Sequence, residues 1–532
     1  MDAQAVENLY DEVPYPSYPY VQSHPDRLAT VATLLGLSPA PVNNCRVLEV
    51  GCASGGNIIP MGCALPQSKF VGIDYSARQI EQGQKTVAAM GLENVTLRHL
   101  DILAAGPDLG QFDYIIAHGI YSWVPPEVRE KLLALCRQNL AANGVAYISY
   151  NVYPGWGLIG LVRDMMLYRT RNITDPRERL AQSRELLNFL SESVSEGSVY
   201  GDFIKAYNAY RVQEKPEAVD SESFLLHDEL EEVNDPVYFF QFAQQVEQHG
   251  LQYVGDAVFS SMFANKYPEE VGNTLNQMSR SVTDFEQYLD FLANRTFRQS
   301  LLCHQGISLT RRLTPQHLIN FHISSSAMPV AQTPNIKSVS VEKFIASNKA
   351  TFSTDHPVTK AAMIYLSKMW PRAVSFRALL SQACALLDPQ AKPTQDDAQG
   401  LATNLLIAYS YNSQLVDLHS HAPQFVTKIS QRPLASPLAR LQVKQGLPKI
   451  TNLRHERVTM QALTRHILYH LDGHHTRQDL VALLEELVAE GKLNLQEAAD
   501  EDGAQTETPR DELAQVLDKR LSQLAHSALL EA

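Results

Sequence analysis

Five short runs of largely apolar residues mark the first 150 positions, and each ends on a glycine or a polar residue. They are Arg46-Val47-Leu48-Glu49-Val50 before Gly51, Lys69-Phe70-Val71-Gly72-Ile73 before Asp74, and Val95-Thr96-Leu97-Arg98-His99-Leu100 before Asp101. Phe112-Asp113-Tyr114-Ile115-Ile116-Ala117 before His118 and Val145-Ala146-Tyr147-Ile148-Ser149-Tyr150 before Asn151 complete the set. Runs of this length, bounded by turn residues, predict strands. Between them the apolar positions recur at helical spacing over 76–90, stopped by Gly91, and over 126–140, closed by Asn143-Gly144. Strands alternating with helices predict an open, mostly parallel α/β sheet that binds ligands at the carboxyl ends of its strands, where Gly51, Asp74, Asp101, His118 and Asn151 fall.

The pattern changes at 155–230, where helices over 159–169, 177–194 and 202–212 read as an insertion. Asn234-Asp235-Pro236 then predicts a helix start, with Asp235 as cap and Pro236 in the first turn, followed by a helix over 237–249 and a strand over 251–254. A helix over 284–292 and a strand over 296–304 bring the sheet to seven strands and end its domain near residue 305. Helices over 357–370, 376–387 and 397–411 with an alternating strand over 414–418 predict a winged-helix-like module over 306–430. After a connection containing Pro433 and Pro437, helices over 460–471, 477–490 and 512–524, with an acid-rich loop over 494–510, predict a helical domain over 431–532.

A chain of 532 residues fits about three or four compact units. Its 45 basic and 58 acidic side chains leave a net charge of −13, and no dense Lys/Arg run offsets it, so nucleic acid is not expected as a partner. The beginning, Met-Asp-Ala-Gln-Ala-Val-Glu, is acidic where a secretory signal is basic, and no apolar run reaches membrane-spanning length. A cytoplasmic location without membrane insertion is therefore expected. The six cysteines form no Cys-x-x-Cys pair and read as reduced, buried thiols. His466 and His470 lie four apart, but no carboxylate or cysteine converges on them, and no metal is expected.

The turn after the first strand has the spacing Glu49-x-Gly51-x-x-x-Gly55. Glycine there lets a ligand approach the backbone, and the following helix offers free N–H groups. The spacing is not Gly-x-Gly-x-x-Gly and lacks Gly-Lys-Ser/Thr, which disfavours a pyrophosphate or nucleoside triphosphate, and the acid at Glu49 suits a cationic ligand group. Asp74 is placed to accept ribose hydroxyls and Asp101 an adenine amino group, although either alone reads more readily as a solvated loop acid. Together they resemble the class I S-adenosylmethionine-dependent methyltransferases, whose Rossmann-like sheet carries a seventh, antiparallel strand.

A closer resemblance covers most of the chain. It rests on Tyr10-Asp11-Glu12-Val13-Pro14-Tyr15-Pro16-Ser17-Tyr18-Pro19-Tyr20 with His24-Pro25, Gly51-Cys52-Ala53-Ser54-Gly55-Gly56-Asn57 and His118-Gly119-Ile120-Tyr121-Ser122-Trp123-Val124-Pro125. Ser149-Tyr150-Asn151-x-Tyr153-Pro154-Gly155-Trp156 and His227-Asp228-Glu229-Leu230 before Asn234-x-Pro236-Val237-Tyr238-Phe239 extend it. These motifs resemble bacterial methyltransferases with a methyltransferase regulatory domain, here over 217–305, a group that includes rickettsial protein lysine methyltransferases acting on outer-membrane proteins. The chain lacks Asn/Asp-Pro-Pro-Tyr/Phe after the fourth strand, which speaks against methylation of nucleobase amino groups.

The resemblance implies S-adenosylmethionine as cofactor, held by Tyr15, Glu49, Gly51, Ala53, Gly55, Asn57, Asp74, Tyr75, Asp101, Ile102 and His118. It places the acceptor beside Trp123, Asn151, Tyr153 and Trp156, with His118, Tyr121 or Asp228 as the group that takes or relays a proton from an acceptor lysine. Packing of the inserted helices on the sheet is the competing reading of the aromatic residues. The segment 1–25 is expected to fold over the cofactor as a lid. A protein lysine acceptor is the reading carried forward, with a homodimer compatible. Methylation of a small molecule, or a cofactor-binding regulator without turnover, are the alternatives.

Overall fold

The computed structural model describes residues 17–213, 230–231, 233–491 and 509–532. Its largest sheet is built from β1 (Arg46–Val50), β2 (Lys69–Asp74), β3 (Val95–His99), β4 (Phe112–Ala117), β5 (Leu140–Asn151), β6 (Leu251–Asp256) and β7 (Phe297–His304). The strand order is β3-β2-β1-β4-β5-β7-β6, with β1 to β5 parallel and β7 antiparallel to both neighbours. The order reverses between β1 and β4, the position at which open α/β sheets leave a crevice for a ligand. Leu48, Ile115 and Ile148 on adjacent strands have no exposed surface, and burying each contributes about 1.5–3 kcal/mol.

Two local expectations are corrected. Asn143-Gly144 does not close a helix: the helix ends at Asn139, and β5 already begins at Leu140, which pairs with Phe112. The register shifts between Phe112 and Tyr114, and Gly144 lets the strand pass close to Asp113, whose carbonyl oxygen would lie 3.0 Å from an added Cβ. Pro236 does not open a helix either. Val237 bridges Val152 in parallel, Asp235 pairs with Arg129 at 2.5 Å, and the helix Phe239–Gln248 starts only after Tyr238. Tertiary pairing of this segment with the end of β5 overrides its local helix-start chemistry.

The inserted helices Gly155–Thr170, Pro176–Ser193 and Val199–Gln213 pack around Val162, Met166, Leu180, Leu187 and Ile204. In the middle of the chain, helices Pro357–Met369, Phe376–Leu387 and Gln395–Tyr411 accompany a small sheet in which His322–Ser324 lies between Val374–Ser375 and Asp417–His419. This part shares one continuous apolar core with the face of the large sheet covered by helix Pro25–Leu34. Buried polar contacts cross the same junction: Arg27 Nη2 lies 2.9 Å from Asp417 Oδ1, and His419 Nδ1 lies 2.8 Å from Asp26 Oδ2.

Helices Pro437–Lys444, Ala462–His470, Arg477–Ala489 and Pro509–His526 with the hairpin Lys449–Thr451/Arg457–Thr459 form a separate C-terminal core. No helix among the described residues is long and apolar enough to cross a membrane.

Candidate active site

The turn between β1 and the helix Ile58–Ala64 carries three positive φ angles, at Gly51 (69°), Ala53 (49°) and Gly55 (79°). A side chain at Gly51 would be strained and would also collide with Ile120, whose Cδ1 would lie 2.2 Å from the added Cβ. Asp74, at the end of β2, ties this loop down: Oδ2 accepts the Ala53 N–H at 2.7 Å and Oδ1 accepts the Ser76 N–H at 2.8 Å. Burial raises the pKa of the Asp74 carboxyl, while these bonds oppose the shift. The Tyr75 N–H also bonds this carboxylate, which still leaves acceptor capacity for a ligand hydroxyl. Tyr75 is exposed beside it. At the end of β3, Asp101 accepts the Leu103 N–H at 2.9 Å and caps the short turn Ile102–Ala104, with Asp101 and Ile102 both half-exposed.

Glu49 points into the site from β1 and is 3% exposed. Its Oε1 accepts a hydrogen bond from Asn57 Nδ2 at 2.7 Å, whereas Oε2 is buried without a hydrogen-bond partner among the described residues. Burial pushes its pKa up to about 8; the Asn57 bond works against this and the nearby Asp74 charge adds to it. A buried carboxylate with one unsatisfied oxygen is costly unless a donor or a cation meets it, so the pocket fits the ammonium of an amino-acid ligand. The expected contact from Asn57 is different in kind. Its Oδ1 accepts from the Tyr20 N–H and from His455 Nε2, both at 2.8 Å, and its Nδ2 donates to Ser23 Oγ at 3.0 Å and to Glu49. The amide is fully used by protein groups, which leaves Asn57 to hold Glu49 and gives it no free polar group for a ligand.

His118, at the end of β4, is enclosed by aromatic rings. Tyr20 stacks on it with centroids 3.6 Å apart, and Phe297 meets it edge-on at 5.9 Å. The Tyr147 hydroxyl lies 2.8 Å from His118 Nδ1 and accepts from Gln299 Nε2 at 2.9 Å. The contact with Nδ1 is compatible with either tautomer of a neutral ring. Burial lowers the His118 pKa to about 3. This corrects the expectation that His118 takes a proton, because a ring so reluctant to become cationic is a poor base.

Tyr121 is corrected as well. It has no exposed surface, packs against Tyr150 and Phe242, donates its hydroxyl proton to Gln245 Oε1, and burial raises its pKa further above the ordinary phenol value. It is a core side chain. Trp123 and Trp156 pack edge to face with centroids 6.2 Å apart. Asn151 is buried, with Nδ2 donating to Asn234 Oδ1 at 3.1 Å. Tyr153 packs on Tyr238 and lines, with Arg129, Asp235 and Gln245, a cavity of about 550 Å³. Tyr15 and Asp228 lie outside the described residues.

The structure thus brings Glu49, Gly51, Ala53, Gly55 and Asp74 together around one loop and His118 to an aromatic collar. It adds residues to which sequence reasoning assigned no role at the site: Tyr147, Phe297, Gln299 and His455. Only Tyr20 carried a signal, as part of the Tyr/Pro segment.

Residues 48–146 match a methyltransferase domain, 221–304 a predicted methyltransferase regulatory domain, and 431–529 the PKMT C-terminal winged helix domain. An uncharacterised protein of Rickettsia prowazekii, RP789, is 34% identical over 92% of this chain and 88% of its own length. Among solved structures, PKMT2 from Rickettsia typhi in complex with AdoHcy aligns with a TM-score of 0.85 and 27% identity, covering 98% of this chain and 100% of that one.

Proposed function

This chain belongs to the family of methyltransferases that combine a methyltransferase regulatory domain with a PKMT C-terminal winged helix, and from that membership we propose that it methylates lysine side chains of a protein substrate. The cofactor is S-adenosylmethionine, as the AdoHcy bound by the rickettsial PKMT2 supports. When bound, it supplies an electrophilic methyl group on a sulfonium sulfur.

In this reading Glu49 Oε2 receives the ammonium of the cofactor's methionyl part. Gly51, Ala53 and Gly55 allow close approach of the backbone, Asp74 accepts the ribose hydroxyls, and Asp101 and Ile102 flank the adenine. The observation that carries the lysine assignment is the collar of Tyr20, His118 and Phe297 at the end of β4. Aromatic faces accommodate an alkylammonium and the cationic methylated product, and they exclude water from the approach. His118 acts there as a flat, neutral wall. Trp123, Asn151, Tyr153 and Trp156 shape the acceptor side behind it. The lysine attacks as the neutral amine, since an ammonium has no lone pair to offer the methyl carbon. The segment 306–430 and the C-terminal domain 431–532 present the protein substrate to the 1–305 domain.

Transfer of a labelled methyl group into a cell lysate, separated into protein and small molecules, tests this. Methyl-lysine in acid hydrolysates of the protein fraction is the expected result. Label confined to small molecules overturns the lysine assignment.

A further inference from the structure

The C-terminal domain reaches the cofactor loop through one buried side chain. The hairpin Lys449–Thr451/Arg457–Thr459 turns through Asn452-Leu453-Arg454-His455-Glu456, with His455 in the left-handed region at φ 63°. The turn is held on several sides. Asn452 Oδ1 accepts the N–H groups of Arg454 at 2.9 Å and Glu456 at 2.8 Å, the Leu453 N–H donates to Ala528 O at 2.9 Å, and the Arg454 guanidinium lies 4.2 Å from the Trp370 ring centroid. A non-glycine residue in this conformation persists only where its surroundings over-determine it. Here they aim His455, 4% exposed, at Asn57.

The polarity of that contact follows from its neighbours. The Tyr20 backbone N–H can only donate, and it lies 2.8 Å from the same Asn57 atom, so that atom is the amide oxygen. His455 Nε2, also at 2.8 Å, must then donate, as the neutral Nε2–H tautomer. Burial holds the His455 ring well below its ordinary pKa, in agreement. With both lone pairs of Oδ1 occupied, Nδ2 faces Ser23 Oγ and Glu49 Oε1.

We infer that His455 is a positioning residue for S-adenosylmethionine: its Nε2–H fixes the Asn57 amide so that Nδ2 holds Glu49 Oε1 and leaves Oε2 turned towards the cofactor ammonium. The winged-helix domain thereby completes the cofactor site of the sheet domain. The inference rests on the proposed role of Glu49.

Calorimetric binding of S-adenosylmethionine to the full chain separates the two. Glu49→Gln is expected to lose binding; wild-type affinity in that variant would overturn the Glu49 role itself. His455→Phe fills the space without the N–H. It is expected to weaken binding and raise the cofactor KM by about tenfold, with kcat at saturating cofactor within about twofold of wild type. His455→Gln, which offers an amide N–H, should recover affinity to within about threefold, and His470→Ala on the same domain should match wild type. Weak binding by E49Q together with wild-type binding by a cooperatively melting H455F would overturn the His455 inference alone. Hydrogen exchange on the unaltered protein decides independently of any variant. S-adenosylmethionine should slow exchange at 452–456 by about tenfold, and an unchanged rate there would refute the coupling.

Discussion

Raising the pH from about 6 to about 7.5 should tighten S-adenosylmethionine binding, because the free protein holds Glu49 protonated over most of that window. With its pKa at about 8, the carboxyl must lose a proton before it can meet the ligand ammonium. One pH unit below that value, ionisation costs about 1.4 kcal/mol, or roughly tenfold in affinity. Across the whole window the ionised fraction grows by roughly twentyfold, and Kd should fall in proportion. A carboxylate at its ordinary pKa would already be ionised throughout and would give a flat profile. Titration calorimetry in two buffers of different ionisation enthalpy at about pH 7 should also register the release of about one proton per ligand bound. A pH-independent Kd, or binding without proton release, would refute both the raised pKa and the ammonium contact.

The same group affects the free protein's stability. Its folded pKa lies above its unfolded value, so its contribution is fully present below the unfolded pKa, near 4.5, and is lost as the pH rises through about 8. Glu49→Gln should therefore raise the Tm of the free protein more at about pH 8 than at about pH 5, and an equal or opposite difference would contradict the burial cost. His118→Phe keeps a flat aromatic wall and should retain kcat to within about tenfold, whereas a loss of 10²–10⁴-fold, the order expected for removing a base, would show that the imidazole moves a proton. Tyr121→Phe should leave methyl transfer nearly unchanged and lower unfolding free energy by about 0.5–1.5 kcal/mol, since it removes the hydrogen bond to half-buried Gln245 Oε1; denaturant melts beside kinetics check this. With a peptide acceptor, kcat/KM should rise about tenfold per pH unit below the lysine pKa of about 10, because the amine must arrive neutral, and a plateau starting near neutrality would point to a base.

The parallel half of the sheet could be read from the chain because its inner strands are buried on both faces, which forces a short apolar run, while the edge strand β3 alternates buried and exposed positions, and because the carboxyl end of each run is marked by a polar residue or glycine. Asp74 and Asp101 could be placed by the same logic. The early start of β5 could not: Leu140 to Gly144 looks like a helix end locally, and only pairing with Phe112 draws it into the sheet. Pro236 misled for a similar reason, because the bridge between Val237 and Val152 is set by chain that lies far away in sequence. The chemistry expected of His118 and Tyr121 was not legible, since a residue type gives no hint that burial holds the imidazole neutral and packs the phenol into the core. His455 was the least legible. It stands in an irregular turn 398 positions from Asn57, with no periodicity to mark it.

The buried contacts between helix Pro25–Leu34 and the strand Asp417–His419 set a condition on how the protein is made. Asp26 and its partner His419 are separated by 393 positions, so at about 5–20 residues per second the ribosome releases the helix roughly 20–80 s before the strand that covers it. Through that interval Leu28, Val31 and Leu34, all without exposed surface in the finished fold, lack part of their cover, and Asp26 has no histidine to bond. Nascent chains are therefore a natural client for a holding chaperone, and a shortened enzyme ending at residue 305 would carry the same uncovered face permanently.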